Sequence, residues 1–199
     1  MADWDRAYAE GEGTGLRMIS NAEMIEFRRL VRPVRGQVAV DAGCGLGIFS
    51  RQLWQLGYDV TGLDWSRQAL IRARTATGER RLRYLEHDLE AGSPPGLEPS
   101  SVDLVVCRHS LAYLIDREAF IDRVHGWLRP GGAMYVLTSV REKVPERWWP
   151  AGLTRAEIDG LGQGWDSVAR CEPSCVGRTA AIVLRKDGAP GPGPLRTGA

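Results

Sequence analysis

An acidic residue followed by three alternating glycines is the stretch of the sequence best suited to chemistry. Residues 41–47 read Asp-Ala-Gly-Cys-Gly-Leu-Gly, and they follow the small and β-branched residues 38–40. Such an apolar run is typical of a strand covered on both faces. Glycines at every second position let the backbone turn tightly and approach a ligand that a Cβ would block. A helix expected over 48–56 then offers free N–H groups and a positive dipole end to that ligand.

Two common nucleotide-binding patterns do not fit this loop. The dinucleotide pattern Gly-x-Gly-x-x-Gly would require a third glycine at Ile48 or at Ser50. The phosphate-binding loop ends in Gly-Lys-Ser/Thr, and residues 41–47 contain no lysine. The acid at the strand end favours a cationic ligand over a pyrophosphate. A glycine turn that only packs the helix on the strand stays as the alternative.

Asp41, Gly43, Gly45 and Gly47 resemble the first motif of the class I methyltransferases that bind S-adenosylmethionine (SAM), which is an acid followed by Gly-x-Gly-x-Gly. The resemblance implies an α/β fold with a Rossmann-like, doubly wound sheet of seven strands, mostly parallel, with an antiparallel C-terminal edge hairpin. It also implies SAM as the cofactor, whose ammonium and sulfonium a carboxylate favours. Cys44 lies inside the loop, where its backbone rather than its thiol should contact the cofactor.

A second acid, Asp64, ends the strand expected over 59–64 and lies 23 positions after Asp41. This spacing allows one loop, one helix and one return strand, so both acids should lie at the carboxyl edge of adjacent parallel strands. There Asp64 can accept both ribose hydroxyls, and Trp65 can lie against the adenine. The alternative is that Asp64 only caps the following helix.

The third strand, expected over 82–86, leads into His-Asp-Leu. In the family that the sequence resembles, an acid at this place receives the adenine amino group and the next backbone N–H meets the ring. The resemblance therefore assigns these roles to Asp88 and Leu89. The run Leu-Arg-Pro-Gly-Gly at 128–132 is a further signature of these enzymes, although proline and paired glycines by themselves require only a turn. A fifth strand is expected over 133–138.

The fourth strand, expected over 102–107, is followed by Arg108, His109 and Ser110. The family places residues that face the transferable methyl group here, and Cys107 is assigned to the cofactor site with them. His109 is the best candidate for a general base, because a free imidazole has a pKa near 6.5; a structural histidine is the alternative. Arg108 would either anchor an acidic substrate or pair with a nearby acid.

Three segments are expected along the chain. Residues 1–37 form a helical N-terminal lid, residues 38–186 the SAM-binding domain and residues 187–199 a disordered tail, since the last segment holds four glycines and three prolines. Aromatic and basic side chains of the lid are candidates to close on the SAM carboxylate: Trp4, Tyr8 and Arg17. Alternatively, the two aromatic residues only fix the terminus to the core.

The stretch after the fifth strand holds two adjacent tryptophans, Trp148 and Trp149. Related enzymes insert structure here that covers the substrate, so the pair would either line the pocket or pack into the core. Residues 165–172 and 179–185 are expected to form the closing antiparallel hairpin.

The composition sets further limits. The chain has 199 residues, which is typical of one domain. Its net charge of +1 gives no overall electrostatic attraction to nucleic acid or membrane. No apolar run of about 18 residues and no signal peptide are present. Four cysteines do not make a disulfide framework in a chain of this length, so a cytoplasmic protein is expected. The spacing of Cys171 and Cys175 lacks a second ligand pair, and no metal site is predicted.

These observations favour a cytoplasmic SAM-dependent methyltransferase that acts on a small molecule, as a monomer or a homodimer. Base-modifying methyltransferases carry Asn/Asp-Pro-Pro-Tyr after the fourth strand, and this chain has Cys-Arg-His-Ser at 107–110 instead. One alternative is a SAM-binding protein of the same fold that uses the cofactor for cyclisation or decarboxylation. A nicotinamide-dependent oxidoreductase is the less favoured third hypothesis.

Overall fold

The computed structural model describes residues 4–10, 19–76, 80–171 and 177–186. Its helices are α1 Trp4–Ala9, α2 Asn21–Val31, α3 Ile48–Gln55, α4 Arg67–Thr75, α5 Arg117–Trp127 and α6 Arg155–Gly160. Its strands are β1 Val38–Ala42, β2 Asp59–Asp64, β3 Leu82–Glu86, β4 Val102–Arg108, β5 Leu128–Val140, β6 Gly152–Leu153, β7 Ser167–Cys171 and β8 Thr179–Arg185.

One sheet organises the molecule, with the strand order β3-β2-β1-β4-β5-β8-β7. Strand β1 lies parallel between β2 and β4, so the direction of winding reverses there and opens a crevice at the carboxyl ends of the strands. Strands β7 and β8 close the edge as an antiparallel pair. The expected Rossmann-like, mostly parallel sheet of seven strands is confirmed, with the two-residue strand β6 added beside β5.

Helices cover both faces of this sheet. Apolar residues of α5, such as Phe120 and Val124, pack with α6 on one face. On the other face, α2, α3 and α4 contribute Phe27, Phe49 and Leu70 to a second core layer. Both faces of the inner strands are therefore buried, which explains the continuous apolar runs in the sequence.

The turn at 128–132 is built differently from the expectation. The pairing of β5 with β4 passes from Val102 opposite Leu128 to Leu104 opposite Ala133, so the extra residues form a bulge within a longer strand. Gly131 has a φ of 81°, which favours glycine at this point.

The N-terminal segment contributes two separate helices. Helix α2 packs into the core through Phe27, whereas α1 lies on α4 at the edge of the crevice. Arg17 and the tail 187–199 lie outside the described residues, so the predictions for them stay predictions. Among the described residues, no helix has the length and apolar character needed to cross a membrane.

Candidate cofactor and acceptor site

The glycine loop leaves the end of β1 and is bonded to the end of β2. The backbone N–H groups of Gly43 and Cys44 donate to the carbonyl of Leu63, at 2.8 and 2.9 Å. The N–H of Gly45 donates to Oδ2 of Asp64 at 2.7 Å. These bonds fix the loop over the crevice where the two strands end.

Close neighbours explain why the loop needs glycines. Gly45 has a φ of 51°, and a Cβ there would lie 2.6 Å from the hydroxyl oxygen of Tyr8. A Cβ on Gly47 would collide with the ring of Tyr84, whose hydroxyl donates to the Gly47 carbonyl at 3.4 Å. The loop therefore lies between a ring of α1 and a ring of β3.

Asp64 is buried at the end of β2, with 7% of its surface exposed. Its second oxygen, Oδ1, accepts the N–H of Ser66 at 2.9 Å. Burial raises the pKa of Asp64, and the backbone N–H bonds from Ser66 and Gly45 oppose that rise. Each carboxylate oxygen has a second lone pair, so Asp64 retains the capacity to accept bonds from a ligand.

Asp41 is the second buried carboxylate, with 2% of its surface exposed. The hydroxyl of Ser50, in the first turn of α3, donates to Oδ2 of Asp41 at 2.6 Å. Burial raises the pKa of Asp41 to about 6, against the opposing effects of the Ser50 bond and the Arg108 charge. Sequence analysis missed Ser50, whose only signal was a hydroxyl one turn after the glycine loop.

Neither buried carboxylate forms an ion pair with a described side chain, although the more distant charge of Arg108 acts on Asp41. Within the described part of the chain, neither Asp41 nor Asp64 has a lysine, arginine or histidine nitrogen at ion-pair distance. Buried charges are normally paired, because removing them from water is costly. The crevice is therefore prepared for a cationic ligand and unfavourable for a pyrophosphate.

One pocket at this edge of the sheet gathers almost every residue that the sequence predicted. The predicted residues that line it are Tyr8, Asp41, Gly43, Cys44, Gly45, Asp64, Trp65, Asp88, Leu89, Arg108 and His109. Trp4, a candidate for the SAM carboxylate, and Ser110, at the methyl-facing edge of β4, line it as well, together with Tyr113. Residues that were not predicted from the sequence also line it, among them Ile48, Phe49, Glu90 and Leu114.

Cys107 is the exception and requires a correction. Its side chain is fully buried in the core layer against α5, and it does not line the pocket. Burial raises the pKa of the thiol to about 12. Side chains alternate along a strand, so the Cys107 side chain faces the core, whereas Arg108 and His109 after it line the pocket.

The far end of the pocket holds the residues assigned to the adenine. Trp65 is partly exposed at the rim, and Leu89 is buried. Oδ1 of Asp88 accepts the N–H of Glu90 at 2.9 Å, and the Glu90 carboxylate accepts the N–H groups at the start of α5. An apolar wall and an exposed carboxylate thus lie together, as the predicted roles of these residues require.

Arg108 is held in an ion pair with Glu23 of α2. Its Nε donates to Oε1 of Glu23 at 2.6 Å and its Nη2 to Oε2 at 3.0 Å. The two side chains are only 11% and 6% exposed, and the guanidinium lies 5.9 Å from the ring centre of Phe49. Of the two roles expected for Arg108, the structure favours pairing with an acid over anchoring an acidic substrate.

His109 follows β4 with a strained backbone and an unpaired ring nitrogen. Its φ is 56°, and its backbone N–H donates to the Leu137 carbonyl at 2.7 Å. The buried Nδ1 atom has no hydrogen-bond partner among the described residues. Burial, and secondarily the charge of Arg108, lower the pKa of His109 to about 3. The imidazole is therefore neutral at physiological pH and able to accept a hydrogen bond.

The aromatic cover of the pocket comes from α1 rather than from the tryptophan pair. The Trp4 ring meets the Tyr113 ring edge-on, with 4.8 Å between centroids. Trp148 and Trp149 are 47% and 44% exposed in a 3₁₀ helix over Glu146–Ala151, and they do not line the pocket. They adopt neither of the positions that the sequence predicted.

Comparisons with known proteins show which proteins this chain resembles. The family described as "Methyltransferase domain" matches residues 40–136. The chain is 35% identical over 103 residues to a ubiquinone biosynthesis O-methyltransferase from Cupriavidus pinatubonensis, covering 52% of this chain and 41% of that protein. It is 33% identical over 138 residues to the Albidiferax ferrireducens protein of the same name, covering 68% of this chain and 52% of that protein. The chain thus spans about half the length of these curated relatives.

Solved structures agree on the fold. A SAM-dependent methyltransferase from Mesorhizobium loti superposes with a TM-score of 0.69 at 23% identity, over 86% of this chain and all of that one. Phosphoethanolamine N-methyltransferase 2 from Haemonchus contortus, in complex with SAM, gives a TM-score of 0.74 at 16% identity, over 92% of this chain and 57% of that one. The chain therefore has the fold of the class I SAM-dependent methyltransferases and carries a match to the methyltransferase domain over residues 40–136.

The cofactor of this family is SAM, and the residues of the site fit it. Asp64 would hold the ribose, Leu89 and Trp65 would hold the adenine, and the buried Asp41 carboxylate would lie beside the cationic cofactor. Within the described residues, no group of three histidine, cysteine or acidic side chains could hold a metal ion.

Proposed function

We propose that the protein transfers the methyl group of SAM to an oxygen of a small, uncharged acceptor. The observation that carries this proposal is the pair of buried carboxylates beside the glycine loop, Asp41 and Asp64, which form no ion pair with a described side chain. The relatives named O-methyltransferase support oxygen as the acceptor atom. SAM, when bound, supplies an electrophilic methyl group on a cationic sulfur.

The lining of the acceptor end supports an uncharged, planar acceptor. Trp4 and Tyr113 line this end with their rings, and Leu114 adds an apolar side chain. Rings of this kind favour an aromatic partner in edge-on or offset contact. The nearby guanidinium of Arg108 is paired with Glu23, so an anionic acceptor would meet no uncompensated cation among the described residues that line the pocket.

His109 is proposed to accept the proton of the acceptor hydroxyl. His109 lines the pocket, its buried Nδ1 has no hydrogen-bond partner among the described residues, and one nitrogen of the neutral ring is a hydrogen-bond acceptor. Its pKa of about 3 gives it a low affinity for a proton. General-base catalysis then works best on an acidic hydroxyl, so phenols and enols are favoured over aliphatic alcohols.

The domain organisation and surroundings expected from the sequence form part of the proposal. Residues 38–186 bind the cofactor, and the segment before them covers the site through α1. The protein acts in the cytoplasm as a monomer or a homodimer and without nucleic acid, in keeping with its net charge of +1.

A transfer assay with labelled SAM tests this function. Neutral phenols, the matching carboxylated phenols and aliphatic alcohols would be incubated with the protein, and the label in each product would be counted. We expect transfer to neutral phenols at a rate at least tenfold above that for either other group. SAM binding without transfer to any oxygen would instead favour the non-methylating alternative, and transfer chiefly to carboxylated phenols would contradict the uncharged acceptor.

A further inference from the structure

The short helix α1 is fixed to the start of α4 by one carboxylate. Oδ1 of Asp5 accepts the hydroxyl of Ser66 at 2.9 Å and the backbone N–H of Gln68 at 3.0 Å. The N-terminus of a helix carries unpaired N–H groups and a partial positive charge, which attract an acid. These contacts, led by the Gln68 N–H bond, hold the pKa of Asp5 below its usual range.

Ser66 connects this contact to the ribose carboxylate. Its backbone N–H donates to Oδ1 of Asp64 at 2.9 Å, while its hydroxyl donates to Asp5 and accepts the N–H of Ala69. The other oxygen of Asp64 holds the N–H of Gly45 at 2.7 Å. A continuous set of bonds therefore runs from the glycine loop through Asp64 and Ser66 to α1.

The helix that Asp5 fixes also delivers two rings to the pocket. Trp4 and Tyr8 line the cofactor pocket, and the Tyr8 hydroxyl is close to Gly45. A second contact, from Nη1 of Arg72 to the carbonyl of Tyr8 at 3.0 Å, joins the other end of α1 to α4. With six residues, α1 is too short to be a stable helix alone, so its place depends on such contacts.

We propose that Asp5 is a positioning residue that keeps α1 over the bound cofactor and thereby slows release of the cofactor. The proposal rests on the SAM site of the proposed function, but it does not depend on the acceptor. Because Asp5 and Asp64 share Ser66, the helix is fixed to the residue that supports the ribose carboxylate.

The test measures SAM dissociation from the full-length chain by stopped-flow competition with S-adenosylhomocysteine. Asp5→Ala removes both bonds and the charge, and we expect dissociation to be about tenfold faster. Asp5→Asn keeps an accepting oxygen without the charge and should recover part of the loss, to about threefold. Glu10→Gln is the matched control, since Glu10 lies just beyond the same helix and pairs only locally with Arg6; its rate should equal that of the wild type.

The melting temperature of each variant without ligand shows whether the substitution only mispositions α1 or destabilises the whole protein. The three variants should melt with the wild type, since Asp5 and Glu10 lie on a surface helix. Equal dissociation rates for Asp5→Ala and the wild type would overturn the proposal and leave the methyltransferase function intact. A lower melting temperature of unliganded Asp5→Ala, with no rescue by Asp5→Asn, would also overturn it. Absence of SAM binding to the wild type would refute both proposals.

Discussion

The two ends of the pocket are built in different ways. The cofactor end comes from the carboxyl ends of β1 and β2, where Asp41, Asp64 and the glycine loop are joined by short backbone bonds. The acceptor end comes from the residues after β4 and a 3₁₀ helix over Leu111–Tyr113, while α1 reaches both ends through Tyr8 and Trp4. Its side chains are held by partners far away in the sequence, such as Glu23 for Arg108.

This difference separates the features of the site that the fold requires from those that are specific to this sequence. In any chain with this sheet, β1 and β2 end side by side at the same edge. A motif of a few residues is therefore enough to define the cofactor end. The acceptor end depends on side-chain pairs between elements that the sheet does not align. Its chemistry is therefore set by contacts such as the Glu23 ion pair and the aromatic rings of α1.

The largest effect is expected at the cofactor end. Asp64→Ala should weaken SAM binding about a thousandfold, because two charge-assisted bonds to the ribose are lost from a buried site. Asp59→Ala, at the opposite end of the same strand, is the matched control and should bind SAM like the wild type. Calorimetry measures both; an Asp64→Ala affinity within threefold of the wild type would remove the ribose role.

The ion pair at the acceptor end should matter for stability. Glu23→Ala removes the carboxylate that bonds both Nε and Nη2 of the buried Arg108 guanidinium, so the free energy of unfolding should fall by about 3 kcal/mol in urea titrations. Replacing both partners, Glu23→Leu with Arg108→Met, should restore most of it. Glu26→Gln, a partly exposed carboxylate of the same helix that pairs with Arg29, is the control and should lower the urea midpoint much less. If the double variant were no more stable than the single one, the pairing would not be the cause.

His109 tests the chemistry of the acceptor end alone. His109→Ala should lower turnover about a hundredfold and leave SAM affinity within twofold, because the ring is proposed to take the acceptor proton. His125→Ala, whose ring packs on Trp165, is the control and should keep full turnover. An unchanged rate in His109→Ala would make its unpaired nitrogen a structural feature.

The smallest effect is expected from protonation of Asp41, which should weaken SAM binding as the pH falls. The pKa of Asp41 is raised to about 6, so the carboxyl takes up a proton as the pH falls below 6. A cation binds only the ionised form, hence SAM affinity should fall about tenfold for each pH unit below 6. Asp41→Asn should bind more weakly at pH 8 and lose this dependence. Parallel pH curves for the two proteins would exclude Asp41 as the group responsible.

Local signals in the sequence were enough for most of the sheet. The predicted strands 59–64, 82–86 and 179–185 match β2, β3 and β8, because alternation and glycine boundaries are encoded within a few residues. Thr154 and Glu157 form a capping box, which a threonine followed by a glutamate three residues later indicates in the sequence. The bulge in β5 was missed, since its register depends on β4 rather than on the local Pro-Gly-Gly run.

The side chains of the site show the same difference between local sequence signals and long-range contacts. Pocket residues named from motifs lie together, because a motif fixes its own backbone. The pairing of Arg108 with Glu23 spans 85 residues, and that of Asp5 with Ser66 spans 61, so no local pattern reports them. Cys107 was misassigned because the direction of a side chain along β4 is decided by the packing of α5.

The most direct test of the central claim is a calorimetric titration of the wild-type protein with SAM and, separately, with NADH. Two buried carboxylates that form no ion pair within the described residues should select the cationic nucleoside, so SAM should bind with a stoichiometry of about one and NADH should give no binding heat. Binding of NADH without binding of SAM would contradict the account of this site.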